Sequence, residues 1–144
     1  MGSRCEMRKL NFSKKRDAVL SVLRSTNTHP TAEWIYQRLK DEYPDFSLGT
    51  VYRNLALFKE QGLAVSVANV NGQERYDGVT SCHAHFVCKE CGSVFDVNCM
   101  GDSKRFDEQI AKLYNCEVEH HNLCFYGTCE KCRKGASRNE VRAL

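Results

Sequence analysis

The spacing of hydrophobic and polar residues predicts three short helices in the first half of the chain. In each segment apolar residues recur three and four positions apart, which places them on one face. Each segment also follows a hydroxyl residue suited to cap its first turn, and these are Ser13, Thr31 and Ser47. The third segment, which runs to Gly62, is expected to bury Val51, Leu55 and Phe58.

Two strand-like runs, "LAVSVANV" and "QERYD", follow the third helix. They are joined at Asn71-Gly72, a pair that tolerates the positive φ values of a type I′ hairpin turn. Three helices followed by a hairpin is the outline of a winged helix, in which the third helix enters the major groove of DNA. A plain helical bundle with a hairpin has the same elements and is the alternative on pattern alone.

The second half of the chain has a different pattern. "AHFVCKEC", "SVFDV" and "CEVEHHNLCFYG" are typical of strands, and "SKRFDEQIAKLY" predicts a helix with Phe106, Ile110 and Leu113 on its buried face. This β-β-α-β order predicts a second small domain. We therefore expect an α+β protein: a winged-helix DNA-binding domain at 1–78, then a small α/β domain at 79–144 with a frayed C-terminal tail.

The composition is that of a globular protein, since 42% of the 144 residues are hydrophobic and 27% are charged. No apolar run is long enough to span a bilayer and no signal-like start is present, which predicts a cytoplasmic protein. The net charge of +3 falls in residues 1–78, where 12 basic residues face 9 acidic ones. Within the first 16 residues the basic positions are Arg4, Arg8, Lys9, Lys14, Lys15 and Arg16.

Such a basic start suits contact with phosphates, although a solvated tail has the same composition. The polar residues of the third helix can read base edges or hold phosphates. The candidate DNA-binding residues are Lys14, Lys15, Arg16, Thr50, Tyr52, Arg53 and Asn54.

Four of the nine cysteines form two CxxC pairs, Cys88/Cys91 and Cys129/Cys132. Four thiolates on two such turns are the ligand set of a closed, tetrahedral structural zinc site. A thioredoxin-like dithiol is the alternative, but two pairs at the two ends of one small domain favour Zn(II).

Two histidines, His83 and His85, precede the first CxxC pair and share one face of a strand. Asp77 and Asp96 lie nearby in the chain, and a site of imidazoles and carboxylates suits Fe(II), Mn(II) or Zn(II). Two surface histidines would show the same spacing. His29 belongs to the helical half, so its participation would tie the two domains together.

The ordered set "HPTAEWIY", "SLGTVYRNL", "RYDGVTSCHAHFVCKECGSVFD" and "FYGTCEKC" closely resembles the ferric uptake regulator superfamily of metal-dependent repressors. The resemblance implies that 79–144 is a dimerisation and metal-binding domain. It further implies that the homodimer binds a palindromic, A/T-rich double-stranded DNA operator and is not an enzyme. It also implies regulatory ligands at His29, Asp77, His83, His85 and Asp96. A set of three His and two Asp is that of the superfamily's peroxide-sensing branch, rather than of its iron- and zinc-sensing branches.

In that branch Fe(II) at the regulatory site catalyses oxidation of a histidine by hydrogen peroxide, whereas Mn(II) fills the site without this chemistry. The matching oxidation-sensitive positions are His29 and His83. An iron- or zinc-responsive uptake regulator is the alternative within the superfamily, and a thiol-based redox enzyme using Cys82 or a CxxC pair is the alternative outside it. A third metal site of some members is not expected, because Ala84 and Ser103 are poor ligands; His120 and His121 are then strand or surface residues.

Overall fold

A computed structural model describes residues 13–98 and 104–140, and Arg4, Arg8, Lys9 and Ser103 lie outside these ranges. Three helices come first: α1 (Lys14–Arg24), α2 (Ala32–Leu39) and α3 (Leu48–Glu60). Thr31 and Ser47 cap α2 and α3 as predicted, each accepting a hydrogen bond from a backbone N–H three residues on. Ser13 stands at the start of α1 but makes no side-chain cap. Helix α2 ends five residues before Pro44, at Leu39.

The three helices pack around one apolar core whose largest buried side chains include Leu23, Ile35, Leu55 and Phe58. The hairpin that follows consists of β1 (Val65–Val70) and β2 (Gln73–Asp77), paired antiparallel. Asn71 and Gly72 have φ values of 53° and 80°, the two positive angles of the predicted type I′ turn. The three helices and the hairpin therefore have the predicted winged-helix outline. The last residue of the hairpin is Asp77.

The second part of the fold is a three-stranded sheet with two helices. In chain order its elements are β3 (Ala84–Cys88), β4 (Val94–Val97), α4 (Lys104–Tyr114), β5 (Cys124–Gly127) and α5 (Glu130–Glu140). The strand order is β4-β3-β5, with β3 antiparallel to β4 and parallel to β5. The central strand β3 is thus hydrogen-bonded to a neighbouring strand on each side. It begins at Ala84, directly after His83.

Three features of this second part differ from the sequence-based expectations. The strand predicted from Cys116 begins only at Cys124, so 115–123 is irregular. The tail expected to be frayed is helical to Glu140 in α5, whose first turn contains Cys132. The predicted buried face of α4 is exposed: Phe106, Ile110 and Leu113 are 51%, 45% and 75% exposed, because no described element of the chain packs over them.

A second apolar cluster joins the hairpin to the sheet. Its buried members are Val67 of β1, Val87 of β3 and Val94 of β4. The ladder register shifts between Ser66 and Ala68, which leaves Val67 as the extra residue of a bulge. The wing is therefore packed against the three-stranded sheet. No helix within the described ranges is long and apolar enough to cross a membrane.

Candidate metal centre

Three imidazoles and two carboxylates converge at the junction of the wing and the sheet. They belong to His29, Asp77, His83, His85 and Asp96, and one potential ligand atom from each lies within 4.8 Å of all the others. His29 Nε2 lies 2.8 Å from Asp96 Oδ1, and His83 Nε2 lies 3.0 Å from Asp77 Oδ2 and 3.1 Å from Asp96 Oδ1. His85 Nε2 lies 3.2 Å from Asp77 Oδ2. The structure thus brings together all five residues proposed from the sequence.

Four parts of the chain supply the five residues. His83 and His85 share a face at the start of β3, and Asp96 of β4 is directly paired with His85. Asp77 is the last residue of β2. His29 comes from the loop between α1 and α2, where it adopts a φ of 52°.

Hydrogen bonds orient the imidazoles so that Nε2 faces the centre. The second ring nitrogen, Nδ1, lies 3.2 Å from Val94 O in His29 and 2.7 Å from Ser81 O in His83. A carbonyl only accepts, so each Nδ1 donates its proton to it, and Nε2 is the nitrogen left to face the carboxylates or to bind a metal after losing its own proton. Asp77 is fixed in the same way, because its Oδ1 accepts from Val79 N at 2.7 Å while Oδ2 faces the imidazoles.

In the absence of metal, the carboxylates and imidazoles of the centre shift one another's pKa values. Burial would raise the pKa of Asp77, but hydrogen bonds from His29, Val79 N–H and His85 hold it well below its usual range. Burial would likewise lower the pKa of His29, but Asp77 and Asp96 outweigh it and raise that pKa. The pKa of His83 is also raised, whereas burial and the neighbouring imidazoles lower that of His85.

The donor set fits a divalent metal of intermediate hardness. Imidazole nitrogens and carboxylate oxygens bind such ions at about 2.0–2.2 Å, which puts neighbouring ligands about 3 Å apart. The six distances between imidazole and carboxylate atoms here run from 2.8 to 3.5 Å. No thiolate takes part, which suits Fe(II), Mn(II) or Zn(II).

The centre is closed on one side and open on the other. The side chains of His29 and His85 are 2% and 4% exposed, whereas those of His83 and Asp96 are 13% and 27% exposed. His83 and Asp96 also line a cavity of about 290 Å³, together with Cys82 and His121. Small molecules therefore have access to the His83 side of the centre.

The four cysteines of the two CxxC pairs form a second cluster. Cys88 Sγ lies 3.9 Å from Cys132 Sγ, and Cys91 Sγ lies 3.8 Å from Cys129 Sγ. A tetrahedron with Zn–S bonds of about 2.3 Å has edges of about 3.8 Å, so the four sulfurs fit zinc. Backbone N–H groups of Cys91 and Cys129 lower the pKa of Cys88 to about 6, which favours the thiolate form that binds metal.

The predicted DNA-binding residues lie on α1 and α3. They differ in exposure and in the contacts that they already make within the chain. Lys14, Tyr52 and Arg53 are exposed. Lys15 is paired with Asp45, and Asn54 Nδ2 donates to Thr50 O of its own helix at 2.9 Å. Arg53 Nη2 donates to Thr50 Oγ1 at 3.1 Å. Arg16 is half-buried.

Two arrangements near the centre were not predicted. Arg75 of β2 donates three hydrogen bonds to backbone carbonyls around His29 and Gly92. His121, expected to be a strand or surface residue, bridges Asp107 at 2.6 Å and Cys82 at 3.4 Å through its two ring nitrogens. The available signal for Arg75 was its position two residues before Asp77, on the same face of a strand. Nothing in the sequence indicated the contact of His121 with Asp107.

Comparison with known proteins assigns this architecture to a family. Residues 7–126 match the model of the Ferric uptake regulator family. The "Peroxide operon regulator" of Bacillus subtilis is 35% identical over 125 residues, which cover 87% of this chain and 86% of that protein. The crystal structure of the Campylobacter jejuni peroxide stress regulator superposes with a TM-score of 0.72 at 36% identity, covering 82% of this chain and 88% of that one.

The Helicobacter pylori ferric uptake regulator has the same fold, with a TM-score of 0.74 at 23% identity, covering 86% of this chain and 83% of that one. The chain is thus a metalloregulator of the winged-helix class and not an enzyme. It belongs to the ferric uptake regulator family. The predicted fold class and family are confirmed, and the redox-enzyme alternative is ruled out.

Proposed function

We propose that this protein is a metal-dependent, DNA-binding transcriptional repressor that senses hydrogen peroxide. The convergence of three imidazoles and two carboxylates at a junction between wing and sheet, open at His83 and Asp96, carries the proposal. The relative from Bacillus subtilis is named for peroxide regulation and supports the same function. We call this set of five residues the regulatory centre.

We assign the two ligand sets to different metals. Cys88, Cys91, Cys129 and Cys132 would hold structural Zn(II), which fixes the end of β3 to the start of α5. The regulatory centre would hold Fe(II) or Mn(II). Bound Fe(II) would supply the one-electron chemistry that turns hydrogen peroxide into a local oxidant of imidazole, whereas Mn(II) would not.

The side chains of the centre explain how peroxide would enter and which imidazoles it would oxidise. Peroxide reaches the centre through the cavity beside His83 and Asp96. His29 and His83 are the imidazoles that we expect to gain an oxygen atom. A carbonyl accepts from Nδ1 of each ring and holds it still, so an oxidant formed among the Nε2 atoms meets a fixed target.

The regulated property is the angle between the winged helix and the sheet. His29 and Asp77 come from the winged helix, and His83, His85 and Asp96 come from or adjoin the sheet. Metal that bridges the two groups favours one angle. If that angle is the DNA-competent one, metal and DNA strengthen each other's binding by the same factor, and histidine oxidation lowers both.

A second copy of the chain would complete the apolar surface. The exposed face of α4 is apolar and includes Phe106, Ile110 and Leu113. Burying it against the same face of a partner gives a twofold dimer with two copies of α3. Such a dimer fits a palindromic operator, which we expect to be A/T-rich, and we expect the protein to act in the cytoplasm.

The test is intact-protein and peptide mass spectrometry after brief peroxide exposure. The Fe(II)-loaded protein should gain one oxygen atom on a peptide that contains His29 or His83, and should lose operator binding. The Mn(II)-loaded protein, as the matched control, should keep both its mass and its affinity. Absence of the gain in the Fe(II) protein would favour an iron- or zinc-responsive uptake regulator instead.

A further inference from the structure

The guanidinium of Arg75 joins backbone carbonyls from two parts of the fold. Nη2 donates to Thr28 O at 2.9 Å, and Nε donates to His29 O, both in the loop between α1 and α2. Nη1 donates to Gly92 O at 2.9 Å, in the turn that carries Cys91. A planar fork of N–H groups can hold three such acceptors at once, which an ammonium group cannot match. One side chain therefore ties the His29 loop to the cysteine turn.

The backbone of His29 needs such support. Its φ of 52° lies in the left-handed region, which residues with a β-carbon seldom adopt. It also precedes Pro30, and a residue before proline favours the extended region. Thr28 O and His29 O flank the Cα of His29, so the two bonds from Arg75 bracket the strained residue. Strain of this kind persists only where the surroundings hold it.

The cysteine turn is held close to the wing from the other side. Gly92 has a φ of 72°, and a β-carbon there would lie 3.0 Å from Cγ1 of Val70 in β1. Its own N–H donates to Cys88 O at 2.9 Å, which closes the turn around the sulfurs. The position of Gly92 O therefore depends on whether the four-cysteine cluster is well ordered. Through its bonds to Gly92 O and His29 O, Arg75 connects the conformation of this cluster to that of His29.

We propose that Arg75 is a positioning residue of the regulatory centre: it holds His29 in its left-handed conformation and couples this conformation to the four-cysteine cluster. The inference rests on the proposed function, since it takes His29 as a metal ligand. Without the tie the loop relaxes towards the extended region and turns His29 Nε2 away from Asp96. Disorder in the cysteine turn removes one acceptor and loosens the same loop.

The first test measures Mn(II) affinity by electron paramagnetic resonance of the free ion, with zinc content measured in parallel. Removal of a group that orients a metal ligand typically lowers metal affinity by about 10–100-fold. We expect a loss in that range for Arg75→Ala with unchanged zinc content. Arg38→Ala is the matched control, because Arg38 stacks 4.6 Å from the Trp34 ring in the same domain and makes no bond to the centre. It should leave Mn(II) affinity unchanged.

The second test separates a positioning role from general loss of stability. If Arg75 acts through His29, Arg75→Ala should have no further effect on Mn(II) affinity in a His29→Ala background. An equal loss in both backgrounds would overturn the proposal, as would parental affinity in Arg75→Ala. If Arg75→Ala fails to fold or to keep zinc, Arg75→Lys decides in its place: it keeps the charge but cannot span three carbonyls, so parental affinity would again overturn the role.

The same series tests the regulatory centre separately. Asp77→Asn and His29→Ala should each weaken Mn(II) binding whatever the role of Arg75. If neither does, the ligand assignment is wrong, and with it the proposed function. If both do while Arg75→Ala has no effect, only the role of Arg75 is lost.

Discussion

His29 Nε2 lies 2.8 Å from Asp96 Oδ1, although one residue precedes α2 and the other lies in β4. The contact crosses from the winged helix to the sheet, and Asp77 crosses the same boundary to meet His83 at 3.0 Å. The regulatory centre therefore forms only when the two parts of the chain hold one relative position.

Asp96→Glu should retain metal-dependent DNA binding but reduce the response to peroxide. Asp96 is paired with His85 across the ladder, so a side chain longer by one methylene must bend or bind through both oxygens. Either change alters the coordination number and occupies the open side beside His83. The measurement is operator binding of the Fe(II) protein before and after peroxide. A response equal to that of the parent would refute this role for Asp96.

Arg53→Ala should weaken operator binding and reduce the salt dependence of that binding. Arg53 is exposed on α3, and removal of one phosphate contact lowers the slope of log affinity against log salt by about 1. Fluorescence anisotropy at several salt concentrations gives both quantities. Lys134→Ala removes the same charge from α5 and should change neither; unchanged affinity and slope in Arg53→Ala would show that α3 is wrongly assigned.

Lowering the pH should weaken binding of Mn(II) to the regulatory centre. The pKa values of His29 and His83 are raised above 6.5, so protons compete for these ligands from above that pH downwards. Asp77 stays ionised because its pKa is lowered, and His85 stays neutral because its pKa is lowered too. Affinity should thus fall over the pH range in which these two imidazoles take up protons, which begins above 6.5, and metal binding should release protons. A flat profile over that range in calorimetric titrations would contradict this protonation scheme.

Leu113→Glu should convert a dimer into a monomer with little loss of monomer stability. Leu113 is 75% exposed, so the charge costs little within one chain but is buried without a partner at the proposed interface. Sedimentation equilibrium measures the association, and thermal unfolding measures the stability. Lys112→Glu, a charge change at the neighbouring exposed position of α4, is the control. A dimer of undiminished affinity in Leu113→Glu would place the interface elsewhere.

The elements that the sequence predicts well are those with local signals. Thr31 and Ser47 cap their helices and Asn71-Gly72 makes its turn because the chemistry of each lies within a few residues. The four-cysteine cluster was predictable for a similar reason, since CxxC spacing is itself a ligand geometry. His83, His85 and Asp96 follow from the two-residue period of β3 and from its pairing with β4.

The elements that the sequence predicts poorly depend on partners far away in the chain or outside it. The apolar stripe of α4 predicted a buried face, but Phe106, Ile110 and Leu113 are exposed, because no described element of the chain covers them. Helix α5 has no apolar period in its sequence, and the link of its first turn to β3, Cys132 Sγ at 3.9 Å from Cys88 Sγ, joins residues far apart in the chain. The proposed role of His29 needed the family resemblance. The position of Arg75 put it on the same strand face as Asp77, but its contacts could not be predicted, because its acceptors are backbone carbonyls, which every residue has.

Asp77 is both the last residue of the wing and a member of the regulatory centre, so rotation about it swings α3 through an arc. Half-sites of a palindrome repeat about 34–36 Å apart, one turn of the double helix, and both recognition helices of a dimer must match that repeat together. On the proposed function, a small rotation in each subunit would change their separation twice over; it would shift the contacts of Val67 with Val87 and Val94 and leave the core of the three helices intact. Release from DNA would then require only that the two helices fall out of phase with the major groove, with no unfolding of the winged helix.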